Sequence, residues 1–284
     1  MNMKEKLESL AKNSIELKIE EAGTYQCGAT RFGGQPDVPP DFIWPTYEGE
    51  SYDHIVKKRP LSFLAQFNCA DLAKYDTEHL LPDHGLLSFF YELDTQCCGY
   101  DPNNKGCARV YWFEDISALS AADFPEDMEE DFQMPMINIA LSQKPSYPSW
   151  QDFTEAFPDD DNDEAFEAAW EELTGENAEE LPDRSQLLGW PDVIQNSMFE
   201  ECDLAAQGYY LGNPESWQKI PQDVRKRAEE TAKDRWLLLL QLDTVECDDF
   251  ELMFGDCGHI YFYITKEDLK TRCFDNIWLI LQCF

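Results

Sequence analysis

Positive charge is scarce in this chain. Its 284 residues hold 22 Lys and Arg against 57 Asp and Glu, a net charge of −35. A surface this acidic repels a phosphate backbone and an anionic bilayer, so no nucleic-acid or membrane partner is expected. A basic protein partner is the one such a field would steer in, although plain solubility accounts for the same acidity more simply. Histidine is scarce too, with four residues. No apolar run approaches the roughly 20 residues of a membrane span. Phosphate-cradling glycine loops, a helical HExxH motif, a GxSxG nucleophile elbow and a C-x-x-C knuckle are all missing. No catalytic residue, bound metal or cofactor is therefore expected from motifs.

What is present suffices for a folded body: 43% hydrophobic and 13% aromatic residues. The opening residues, Met1-Asn2-Met3-Lys4-Glu5-Lys6-Leu7-Glu8, are amphipathic and lack the apolar core of a secretory signal. A cytoplasmic location is the expectation, and the ten cysteines are then expected to be free thiols. Cys97, Cys98 and Cys107, with His79 and His84, make a metal site on paper only, since their spacing is wrong for zinc knuckles. Asp160, Asn162, Glu164 and Glu171 faintly resemble a calcium loop, but Ala165 stands where such a loop needs glycine.

The chain repeats itself. Gly34-Gln35-Pro36-Asp37-Val38 returns as Gly189-Trp190-Pro191-Asp192-Val193. The run from Leu61 to Asn68 returns as Trp236 to Asp243, and Gly85 to Phe90 returns as Gly258 to Tyr263. The order is kept, which argues for an internal duplication. Residues 24–118 form the expected first repeat and 185–284 the second, joined by an acidic insert at 119–184. Within it, residues 123–183 hold 20 acids and one base, Lys144, a net −19.

Alternating Ile15, Leu17 and Ile19 predict a strand. Apolar runs predict strands at 61–67, 86–92, 107–113, 236–242, 259–264 and 277–284. Helices are expected at 3–12, 71–81, 163–173, 221–234 and 265–273, the last capped by Thr265 with Asp268. In the 163–173 helix, Phe166, Ala169, Trp170 and Leu173 share one face that should dock on the body. The expected fold is α+β: two pseudo-symmetric, mostly antiparallel sheet-bearing units, packed face to face into one compact body, 1–284.

Gln66 and Gln241 occupy equivalent places in apolar strands, and a buried amide must find partners. One reading is that each glutamine bonds its neighbouring Gly-Pro turn and locks the repeat. The other is that both face a cleft along the seam, with Asp256, Arg31 and Trp44 as further ligand-binding residues.

Several of these segments resemble a known family. Arg31-Phe32-Gly33-Gly34-x-Pro36 with Trp44-Pro45, Pro60-Leu61-x-Phe63-Leu64-Ala65-Gln66, Leu188-Gly189-x-Pro191-x-x-Ile194-Gln195, Trp236-x-Leu238-Leu239-Leu240-Gln241 and Gly255-Asp256-x-Gly258-x-Ile260-Tyr261-Phe262 are similar to motifs of the YwqG-like family, a bacterial domain of unknown function. Phe254 departs from it, where the family tends to place Trp. The resemblance implies a fold and no established activity. Relatives found beside bacterial toxin systems make partner binding, and a toxin-immunity role, the expectation; a small-ligand-binding protein or enzyme with its site on the seam is the alternative.

Overall fold

The computed structural model describes residues 1–50, 54–178, 180 and 184–284. Glu179 and residues 181–183, part of the acidic stretch counted above, lie outside the described residues, as do 51–53. Ten strands form one sheet: β1 (Lys12–Ala22), β2 (Arg31–Phe32), β3 (Ser62–Asn68), β4 (Leu86–Tyr91), β5 (Ala108–Phe113), β6 (Ile137–Ser146), β7 (Ser185–Leu187), β8 (Trp236–Leu242), β9 (His259–Thr265) and β10 (Trp278–Gln282). Their spatial order is β10-β9-β8-β7-β1-β6-β2-β3-β4-β5, and every neighbouring pair is antiparallel. The expected two sheets packed face to face are thus one continuous sheet. β1 and β6 form its middle, and a four-strand set flanks them on each side.

β6 was not anticipated. The acidity of its surroundings masks the alternation of Ile137 and Ile139, whose side chains are buried while Asn138 is exposed. It pairs with β1 from Lys12↔Ser146 to Ile19↔Ile139, so part of the expected insert is the centre of the sheet. Conversely, the helix expected at 71–81 shrinks to α2 (Cys69–Leu72), followed by turns and by His79 at φ 54.

Strands β3, β4, β8, β9 and β10 read as apolar runs because they are buried on both faces. One face meets a shared core in which Phe67 and Phe89 from one side meet Leu240 and Phe262 from the other. Phe89 and Phe262 lie edge to face at 5.3 Å. The opposite face is covered differently in the two halves. Phe63 and Phe90 lie under Phe42 and Trp44. Leu238, Tyr263 and Ile280 lie under α5 (Phe199–Ala206) and α7 (Gln222–Arg235), which the short α6 (Pro214–Lys219) separates in sequence, through Phe199, Cys202 and Ala232.

The sheet is nearly closed. The amide of Leu281 in β10 donates to the Cys98 carbonyl at 3.2 Å, and Trp278 Nε1 donates to the Gly99 carbonyl at 2.9 Å. The loop between β4 and β5 thereby reaches the far edge strand. A Cβ on Gly99 would sit 1.9 Å from the Leu279 carbonyl oxygen, and its φ is +84, so only glycine permits this approach.

Candidate functional site

Gln66 and Gln241 are fully buried and make matching bonds. Gln66 Nε2 donates to Asp37 Oδ2 (2.6 Å) and the Ala29 carbonyl (2.9 Å), while its Oε1 accepts from the Asp37 amide (3.1 Å). Gln241 Nε2 donates to Asp192 Oδ2 (2.7 Å) and the Arg184 carbonyl (2.8 Å), and its Oε1 accepts from the Asp192 amide (2.8 Å). Each strand bulges two residues earlier, at Leu64 and Leu239. The freed carbonyls accept from the amides of Gly33 (2.7 Å) and Leu188 (3.3 Å), both at positive φ. Thr30 Oγ1 accepts from the Asn68 amide just as Ser185 Oγ accepts from that of Asp243.

Each lock holds a buried ion pair. Arg31 Nη1 lies 2.9 Å from Asp37 Oδ2; Arg184 grips Asp192 through Nε and Nη2. Burial by itself would raise the Asp37 carboxyl. Hydrogen bonds from Arg31, Gln66 and the Gly28 amide, with the Arg31 charge, outweigh it and hold the group below the usual carboxylate range. Asp37, Asp192 and Arg184 stand outside the sequence-derived candidates, although both aspartates were visible in the repeated Gly-x-Pro-Asp string.

Of the sequence-derived candidates, then, Arg31 and Gln66 meet in one lock, and Gln241 sits in the other, five strands away. Trp44 packs on Phe90 and donates from Nε1 to the Leu61 carbonyl (2.8 Å). Asp256 is exposed on the turn between Phe254 and Gly258, apart from both locks.

A broad cleft of about 800 Å³ near β1 and β7 is lined by His259, Asp243, Arg184 and Cys257. His259 Nε2 meets Asp243 Oδ1 at 3.0 Å and Nδ1 meets the Tyr261 hydroxyl at 3.2 Å, while that hydroxyl donates to the Asp192 carbonyl. Both ring nitrogens are thus engaged within the protein. Cys97 and Cys107 are hydrogen-bonded thiols, a contact that lowers Cys97 to about 7 against the opposing effect of burial. His84 instead meets Asp83 and Glu114, and all ten cysteines are free. Among the described residues no three Cys, His, Asp or Glu side chains cluster to hold a metal.

A second cleft, of about 480 Å³, is formed largely by the acidic segment. Ser149 caps α3 (Trp150–Ala156), accepting from the Asp152 amide and donating to its carboxylate. Asn162 caps α4 (Asp163–Thr174), which stops at Gly175 with φ 75. The predicted face of α4 docks: Phe166 and Ala169 pack with Phe153 and with Leu7 of α1 (Met3–Leu10). Lys4 adds a 2.7 Å contact to Glu172. Trp150 meets Phe166 edge to face at 5.1 Å. Tyr147, Trp150 and Trp170 remain half-buried in the cleft wall beside Asp163, Glu167 and Glu180. Among the described residues no Lys or Arg lies within ion-pair distance of these three carboxylates. Aromatic faces next to unneutralised carboxylates are the surroundings that a cation prefers.

The fold is a mixed helix–sheet architecture, mostly antiparallel, around one large nearly closed sheet. No helix among the described residues is long and apolar enough to cross a membrane. Residues 30–283 match the family model described as Domain of unknown function (DUF1963), and the chain belongs to that family. A comparison with curated proteins finds no match.

Proposed function

We propose that this chain is a cytoplasmic, non-enzymatic interaction module whose acidic segment receives a basic protein partner. The observation that carries this reading is the cleft of Tyr147, Trp150 and Trp170 flanked by Asp163, Glu167 and Glu180. A Lys or Arg side chain entering there would meet ring faces and carboxylates together. The −19 charge of residues 123–183 would steer it in. The two locks support a further inference, that the halves descend from an internal duplication: the same three bonds recur from each glutamine to its turn. They also support reading Gln66, Gln241 and Arg31 as framework, because both amides and the Nη atoms of Arg31 bond inside the protein. The similarity of the sequence motifs to a family found beside bacterial toxin systems makes a basic toxin the first partner class to try.

Calorimetric titration with a hexa-arginine peptide tests the reading, with hexa-glutamate as control. Saturable binding that quenches tryptophan fluorescence, weakens roughly tenfold in Glu167→Gln/Trp170→Ala, and fades with salt is expected. Equal affinity in that variant, or indifference to salt, would refute it.

A further inference from the structure

A pocket of the opposite character lies elsewhere on this acidic molecule. It has a volume of about 500 Å³ and opens between β1, β8, α8 (Lys266–Lys270) and the turn at 78–80. Leu188, Leu238 and Leu269 are buried in its wall, and Leu237 is half-buried there. Its rim carries Lys12, Lys266, Lys270 and Arg272, four of the chain's 22 basic side chains, against one carboxylate, Glu78.

Three observations single it out. First, lysines here commonly pair with acids: Lys4 with Glu172, Lys74 with Asp71, Lys233 with Asp152. Lys12, Lys266 and Lys270 have no such pairing among the described residues, in a chain with more than twice as many acids as bases. Second, Lys12 Nζ rests 3.3 Å from the centroid of the Trp190 ring. Burial lowers Lys12 to about 8, with Asp152 opposing, so this ammonium is under-solvated and would gain from an anion. Third, three of the seven non-glycine residues at positive φ among the described residues line this pocket: His79 (φ 54), Leu188 (φ 61) and Arg272 (φ 59). Such backbone is costly and gathers where the surroundings hold a site in shape. Arg272 supplies that hold, donating to the carbonyls of Leu80 (2.6 Å), Leu81 (3.1 Å) and Leu269 (3.1 Å), which staples the 80–81 turn to α8.

We infer that this pocket binds a small free monocarboxylate with an apolar body, such as a medium-chain fatty acid, its tail on the leucines and its carboxylate among Lys12, Lys266 and Lys270. The volume lies within the range of small-molecule sites. The same head-and-tail chemistry occurs in an anionic lipid surface, but a net charge of −35 repels that surface, which favours the free molecule.

Titration of the full chain with dodecanoate below its micellar concentration provides the test, with dodecanol, dodecyltrimethylammonium and phosphatidylglycerol vesicles as comparisons. One saturable site for dodecanoate is expected, at least roughly tenfold tighter than either uncharged or cationic analogue. Lys266→Glu/Lys270→Glu, both on exposed side chains, should weaken it by a similar factor, and Trp190 emission should change on binding. Bound dodecanoate should also raise the Lys12 titration, read by NMR of the lysine side chain. Equal binding of the cationic analogue, an unaffected charge-reversed variant, binding to vesicles alone, or no saturation overturns the assignment. The same titrations are run in Glu167→Gln/Trp170→Ala, where the aromatic cleft no longer competes for the cationic analogue, so this result stands or falls apart from the interaction reading.

Discussion

Gln66 and Gln241 show how one amide can fix a turn. Each satisfies a backbone amide, a backbone carbonyl and a carboxylate at once, all out of water. Gln66→Leu would strand three polar groups beside the buried Arg31–Asp37 pair. A loss of about 2–4 kcal/mol in urea unfolding is expected, with Gln241→Leu similar and the double variant near the sum. An unchanged midpoint for either would mean that the lock contributes nothing. Acid titration separates two acids shifted in opposite directions, buried Asp37 and half-buried Glu201. Asp37 is held low in the fold, so its contribution is present above the unfolded value near about 3.9 and vanishes as pH falls through the folded value. Asp37→Asn should flatten that acid limb. Glu201 is raised to about 7, chiefly by burial, so ionising it costs more in the fold than in the open chain. That penalty grows as pH rises from about 4.5 to 7. Relative to wild type, Glu201→Gln should therefore be more favourable at pH 8 than at pH 5, read from paired thermal melts. The glutamines and aspartates of the locks were legible in the repeat. Arg184 was not, because the residue that matches Arg31 by strand register is Gln186: Arg31 faces Gln66 across β2–β3 as Gln186 faces Gln241 across β7–β8. The cation that meets Asp192 comes from two residues earlier, where the repeat offers Ala29.

Among the elements, sequence periodicity served best where one environment governs a whole segment. The apolar runs became β3, β4, β8 and β9, and α4 docks by its predicted face. It failed where environment changes along the segment. β6 passes from a buried face at Ile137 to exposed Ser142 and Gln143, so its pattern dissolves within the acidic stretch. α5 is covered almost all round and carries only a weak one-sided pattern, with Phe199, Cys202, Asp203, Leu204 and Ala205 all buried. The closure of the sheet was invisible for a different reason: it rests on one glycine in a loop. Gly99→Ala should push the loop off β10 and cost about 2 kcal/mol or more. Faster hydrogen exchange at the Leu281 amide, which donates to Cys98, would report it; unchanged protection there would show that the loop is not what closes the sheet.

At the scale of the molecule, charge and topology matter most. With −35 distributed over one body, self-repulsion opposes the compact state. Raising monovalent salt from about 10 mM to about 300 mM shortens the screening length from roughly 30 Å to several ångströms, so the melting temperature should rise. A fall would mean that the ion pairs of the locks outweigh the repulsion. The central place of β1 has a consequence for how the chain is made. Its partners β6 and β7 lie more than a hundred residues downstream. At a synthesis rate of about 5–20 residues per second, β1 would leave the ribosome on the order of ten seconds before either partner exists. During that interval Glu16, Lys18 and Glu20, interleaved with Ile15, Leu17 and Ile19, serve as charged gatekeepers that discourage the waiting strand from pairing with a neighbouring nascent chain.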